Sequence, residues 1–121
     1  MSNTNEGFTI IERTGQPPLR FKSAAEWSDS NEVQNGNRAN RWTQVTIYRT
    51  QGGKYVARVS SFTCWDGESD YHKAEAFETP AGAIEYLRDD EGHLGRVSQG
   101  AIEEACKHDP GFAAAFVVNV D

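Results

Sequence analysis

Long apolar runs are missing from this chain of 121 residues: the longest, Phe112 to Val118, falls far short of the roughly 20 residues that a membrane helix needs. No membrane association is expected. Cysteine is scarce too, with Cys64 and Cys106 standing 42 positions apart and no Cys-x-x-Cys pair between them. That spacing excludes a disulfide-stapled scaffold and predicts reduced thiols. The opening stretch MSNTNEG is polar and carries no Lys or Arg, so it does not resemble a secretory leader, and a soluble, cytoplasmic protein is the expectation. A glycine-rich phosphate loop, a Ser–His–Asp arrangement and paired zinc spacing are likewise missing. The chain is therefore not expected to be an enzyme, and no cofactor or metal is expected.

What the chain does contain is a clear ribbon, Arg41 to Thr63, in which two runs of β-formers flank Gln51-Gly52-Gly53. Residues opposite each other in a hairpin share a face, and a slip of one residue inverts every face. A three-residue loop sets Val45 against Val59, Ile47 against Ala57 and Arg49 against Tyr55. The other face then pairs Trp42 with Phe62, Gln44 with Ser60, Thr46 with Arg58 and Tyr48 with Val56. A two-residue Gly-Gly turn would set Val45 against Ser60 and Ile47 against Arg58, spoiling both faces. The longer loop is preferred, with a glycine in the left-handed region.

Around that ribbon, Phe8 to Arg13 predicts a strand closed by a turn over Thr14 to Pro18, and Leu19 to Lys22 a second short strand. Ser23 and Glu26 have capping-box spacing, which predicts one helical turn over Ala24 to Trp27. Residues 28–40 are rich in Asn, Ser and Gly and predict a mobile polar loop. Asp66-Gly67 marks a tight turn, and Tyr71 to Phe77 alternates as a third strand of a meander. Thr79-Pro80 opens a helix reaching about Arg88, with Ala83, Ile84 and Leu87 inward. Ser98 opens another, with Ala101, Ile102, Ala105 and Cys106 inward. Asp109-Pro110 opens a third element, in which Phe112, Ala113, Phe116, Val117 and Val120 follow helical spacing while Phe116 to Val118 also suits a closing strand. The expected fold is α+β, an antiparallel β-meander packed against two or three C-terminal helices, forming one domain over residues 1–121.

Charge is uneven: residues 1–60 hold 8 Lys and Arg against 5 Asp and Glu, whereas residues 61–121 hold 4 against 13. Such an asymmetry predicts a charged partner. The candidate contact residues are Asp66, Glu68, Asp70, Asp89, Asp90 and Glu91 for charge, with Trp65 and Tyr71 as aromatic anchors. The competing site is the ribbon face bearing Trp42, Tyr48, Arg58 and, nearby, Arg49, which has the residue types of a sheet that stacks single-stranded nucleic acid. Helices packed over that face would make it core instead. A third reading pairs Cys64 with His72 or His93 as nucleophile and base. Asp66, Glu68 and Asp70 alternate like the start of a calcium loop, but Tyr71 stands where glycine is needed and Phe77 where glutamate is needed.

The block Arg41-Trp42-Thr43, Tyr48-Arg49-Thr50, Gly52-Gly53-Lys54-Tyr55 resembles one found in small proteins of bacterial plasmids and prophages. The resemblance covers the central third of the chain. It implies a mobile-element inhibitor of a host defence complex, similar to anti-CRISPR proteins, which occupies a basic, nucleic-acid-binding surface on its protein partner.

Overall fold

The computed structural model describes residues 7–34, 37, 38, 40–118 and 120. In chain order these form β1 (Phe8–Arg13), β2 (Gln16–Ser30), β3 (Val33–Gln34), β4 (Asn37–Arg38), β5 (Arg41–Thr50), β6 (Tyr55–Thr63) and β7 (Tyr71–Phe77), then α1 (Pro80–Leu87), α2 (Arg96–His108) and α3 (Pro110–Ala115). The hairpin of β5 and β6 has the register that parity demands, Val45 opposite Val59, Ile47 opposite Ala57 and Tyr48 opposite Val56. Its loop closes with Thr50 N donating to the Lys54 carbonyl at 2.8 Å, and Gly53 turns the chain at φ +87°.

Five strands form one antiparallel meander in the order β1-β2-β5-β6-β7, while β3 and β4 pair separately as a short excursion. The sheet coils until its ends meet. Thr14 N reaches the His72 carbonyl at 2.8 Å, His72 N returns to Thr14 Oγ1 at 2.9 Å, and Arg13 Nη1 reaches the Ala74 carbonyl at 3.3 Å. The fold is thus α+β, with a nearly barrel-shaped sheet and its helices at the C-terminal end.

β2 makes the coiling possible. Its first part pairs with β1 and its second with β5, and a bulge between Ser23 and Ala25 separates them. One extra residue exchanges the two faces. Leu19 and Phe21 therefore pack with Ile11, Tyr48, Val56 and Ala74 inside the coil, whereas Ala25 and Trp27 join the core beneath the helices. Three expectations fail here. The predicted turn at Ala24–Trp27 is strand, because pairing with β5 satisfies the amides that a capping box would have served. Pro17 and Pro18 lie within β2 rather than in the turn, at a part that pairs on one side and so leaves room for a residue without an N–H. The polar stretch expected over 28–40 is β2 as far as Ser30 and short strands at Val33–Gln34 and Asn37–Arg38, while residues 35, 36 and 39 lie outside the described residues.

The helices cover the Val45, Ile47 and Ala57 face. Thr79 caps α1 through a 3.2 Å bond from Gly82 N. α2 starts two residues before the expected Ser98, behind Gly95, and buries Val97, Ala101, Ile102 and Ala105. Asp109 caps α3, taking Gly111 N at 2.7 Å, and its second oxygen accepts from the Tyr55 hydroxyl at 3.1 Å. α3 ends at Ala115, so Val117 and Val118 are neither helix nor strand and stand exposed, as does Val120. Among the described residues no helix is long and apolar enough to cross a membrane.

Gly100 sits where α2 crosses β2, and a Cβ there would lie 1.9 Å from Asp29 Oδ2 and 2.9 Å from its Cγ. Alanine is favoured over glycine within a helix by about 1 kcal/mol. Gly100→Ala is nevertheless expected to gain less than this, because the half-exposed Asp29 side chain must rotate off the new methyl. Urea denaturation checks this, and adding Asp29→Ala should bring the gain up towards ~1 kcal/mol.

Candidate functional site

The connection between β6 and β7 is the part of the molecule where aromatic and charged side chains meet in the open. Asp66 and Gly67 are the centre of a turn closed by Glu68 N on the Trp65 carbonyl at 3.2 Å, and Gly67 takes φ +85°, which suits glycine. Thr63 anchors the base of the loop. Its N–H donates to Asp70 Oδ1 at 3.0 Å, its hydroxyl accepts from Trp65 N at 3.1 Å, and the same hydroxyl donates to Glu68 Oε1.

Arg41 stands opposite Thr63 in the register and binds Glu68 through two guanidinium nitrogens, Nε meeting Oε1 at 3.0 Å and Nη2 meeting Oε2. The same guanidinium lies over the Trp65 ring, 5.7 Å from its centroid. This bidentate pair is held at both ends by sheet and turn, a geometry that adds orientation as well as attraction. The Glu68 carboxyl is lowered to about 2, first by the Arg41 hydrogen bond and then by the Thr63 hydroxyl. Trp65 and Tyr71 each remain 50% exposed. Arg41 and Glu68 also line an open depression of about 570 Å³, together with Trp42, Phe62 and Thr63.

The remaining acids are arranged otherwise than as one bare flank. Of the twelve between Asp66 and Asp109, six face an arginine or lysine: Glu68 with Arg41, Glu75 with Arg13, Glu78 with Lys54, Glu85 with Arg88, Glu104 with Lys107 and Asp109 with Arg49. Asp89 closes the turn after α1, accepting from Glu91 N and His93 N at 2.9 Å each, and the His93 amide above all lowers its carboxyl. Glu91 lies 3.8 Å from His93 Nδ1. Asp66 and Asp90 are exposed, with no cation partner among the described residues.

The four residues of the nucleic-acid reading do not form one platform. Trp42 and Phe62 stack at 5.3 Å on the face that the helices leave uncovered. Tyr48 shares that face but is buried, with Phe21 edge-on to its ring at 5.2 Å. Burial raises the Tyr48 phenol, opposed by the neighbouring Arg58 guanidinium, whose Nε is buried without a hydrogen-bond partner among the described residues. Arg49 belongs to the opposite face, where its Nε lies 4.0 Å from Asp109.

Cys64 is exposed, and its thiol hydrogen-bonds neither His72 nor His93 among the described residues. His72 Nδ1 is instead 2.8 Å from Ser60 Oγ. Cys106 is partly buried, and burial pushes its thiol up, away from thiolate formation. Among the described residues, no three His, Cys, Asp or Glu side chains converge as metal ligands would.

Comparison of the chain with protein-family models, curated proteins and solved structures finds no match. The functional reading therefore rests on geometry. Arg41 is the residue that sequence reasoning undervalued: its place opposite Thr63 follows from the hairpin register, but its hold on Glu68, 27 positions away, depends on how the loop folds back.

Glu68 yields a pH dependence with a definite sign. A carboxyl depressed on folding contributes stability that is complete above its ordinary range and is lost as pH falls through about 2. Carboxyl NMR titration should place the Glu68 midpoint near that value, and Arg41→Ala should return it towards the ordinary carboxylate range.

Proposed function

We propose that this chain is a non-catalytic protein-binding module whose contact surface is the β6–β7 loop with the start of β7. The observation carrying this reading is the cluster in which Arg41, held by Glu68, backs the half-exposed Trp65 ring. Binding sites in protein interfaces draw on large aromatic anchors set within a polar rim, and an anchor already held in place loses less entropy on association. Trp65 and Tyr71 are those anchors. Asp66 and Asp70 form the rim, and Asp90 and Glu91 add negative charge that favours a partner with a basic surface.

Such a partner surface is characteristic of proteins that bind nucleic acid, and occupying it would block the nucleic acid. An inhibitor of a host defence complex, of the kind carried by mobile elements, fits that chemistry. Six ion pairs reduce the share of the acidic half that is left for steering, so aromatic anchoring contributes more to this contact than charge does. Direct nucleic-acid binding has less support, because Trp42 stacks on Phe62 while Tyr48 is buried and Arg49 faces the helices.

The test is capture from a bacterial lysate with mass spectrometry, comparing the unaltered chain with Trp65→Ala/Tyr71→Ala. A partner retained by the former and lost by the latter, at unchanged melting temperature, supports the contact surface. Anchor truncations at a well-packed contact cost about 2 kcal/mol or more, which is at least ~30-fold in affinity. Equal capture by both proteins overturns the assignment. A salt-dependent shift with single-stranded oligonucleotides, lost in Trp42→Ala, would favour the sheet-face reading instead.

A further inference from the structure

The two edges of the coiled sheet are joined at one place. Among the described residues, the hydrogen bonds between β1 and β7 run from Arg13 and Thr14 to His72, Ala74 and Glu75. Phe8 to Ile11 pair with β2 on one side and have no strand on the other. Natural edge strands discourage further pairing with charged side chains or proline, and Phe8-Thr9-Ile10-Ile11 has neither. Ile10, on the outer face, is 42% exposed.

This bare edge lies at the end of the sheet where β5 turns into β6, since Phe8 is opposite Lys22 and the Lys22 carbonyl accepts from Gln51 N. Here the coil leaves an apolar opening of about 410 Å³, with Leu19, Phe21, Val56 and Ala76 in its walls. Thr9 and Ile11, opposite Phe21 and Leu19, share their inward face. The nearby cations are otherwise engaged: Arg20 and Lys22 lie over the Phe8 ring on the outer face, and Lys54 is 3.2 Å from Glu78. The opening therefore suits an uncharged, apolar occupant attached to an extended backbone.

The chain carries such a segment itself. Phe116 to Val118 suits a strand by sequence, yet beyond α3 Val117, Val118 and Val120 are neither helix nor strand and stand 57, 84 and 87% exposed. In an extended chain Val118 and Val120 point to one side and Val117 to the other. That alternation matches a sheet edge with an apolar interior and Ile10 outside.

We propose that the Val117–Val120 segment of a second copy adds to β1 as a strand, placing Val118 and Val120 in the opening and Val117 beside Ile10. Backbone hydrogen bonds along the edge supply affinity, and the alternate side chains supply register. Exchange in both directions closes a two-fold dimer. The contact is at the far end of the sheet from the β6–β7 loop and is independent of the Trp65–Tyr71 surface.

The test is sedimentation of the full chain over a concentration series. The unaltered chain should pass from monomer to dimer. Val118→Lys/Val120→Lys, at two exposed positions, should weaken the dimer at least about 100-fold at unchanged melting temperature of the monomer, since burying one valine is worth roughly tenfold or more in a binding constant. Ala76→Lys, which places a charge in the opening from an exposed position, should weaken it likewise. An equimolar mixture of these two variants should regain association, because one supplies an intact opening and the other an intact segment. Trp65→Ala/Tyr71→Ala should leave the dimer unchanged. A monomer at every concentration, a dimer indifferent to Val118→Lys/Val120→Lys, or a dimer lost with Trp65 and Tyr71 would overturn the proposal. So would amide shifts at Leu19, Phe21 and Ala76 that depend on the valines but not on concentration, which would seat the segment on its own chain.

Discussion

The pairing of Val45 with Val59 is the constraint on which the rest of the molecule depends. It sets β5 and β6 in a register where both faces of one hairpin have somewhere to go: Val45, Ile47, Tyr55 and Ala57 under the helices, Tyr48 and Val56 inside the coil. A slip of one residue would bring Arg58 and Ser60 beneath α2 and turn Ile47 away from it. Burial of both faces also explains why the aromatic-rich sheet face is not a flat, open platform. Phe21 covers Tyr48, whereas Trp42 and Phe62 are only half-buried.

The hairpin register and the caps at Thr79 and Asp109 were legible in the sequence because each rests on neighbours in the chain. Parity needs only alternating residues. A hydroxyl or carboxylate followed by proline needs only the next turn of helix. β2 was not legible for the complementary reason. Ser23 and Glu26 carry a local helix signal, yet their backbone pairs with Thr50 and Tyr48 across the sheet, and a single helical turn has little stability with which to compete. The bulge that exchanges the faces of β2 has no marker in Ser23-Ala24-Ala25 that distinguishes it from regular strand. Barrel-like closure, which follows from that bulge, was equally out of reach.

Charge shows a similar division between composition and arrangement. The excess of carboxylates in the second half is real, but composition does not say which of them meet a cation from the first half. Arg13, Arg41, Arg49 and Lys54 all cross to acids beyond residue 60, because antiparallel strands bring distant segments alongside one another. The +3 and −9 halves therefore neutralise each other in part through the fold itself. Of the residues singled out for charge, Glu68 and Asp89 spend their carboxylates on internal structure, and Asp66 and Asp90 keep theirs for solvent.

That division bears on what a partner can read from the surface. A carboxylate already committed to an arginine contributes little to long-range attraction, yet it can contribute more to affinity by fixing its neighbours. Glu68 is such a residue. By holding Arg41 beneath Trp65 it converts a flexible loop aromatic into an oriented one, and the entropy lost in ordering that ring falls on folding rather than on association. On the proposed reading, the Trp65 ring backed by Arg41 is the anchor of the contact, and the unpaired carboxylates of Asp66 and Asp90 are what would select among partners.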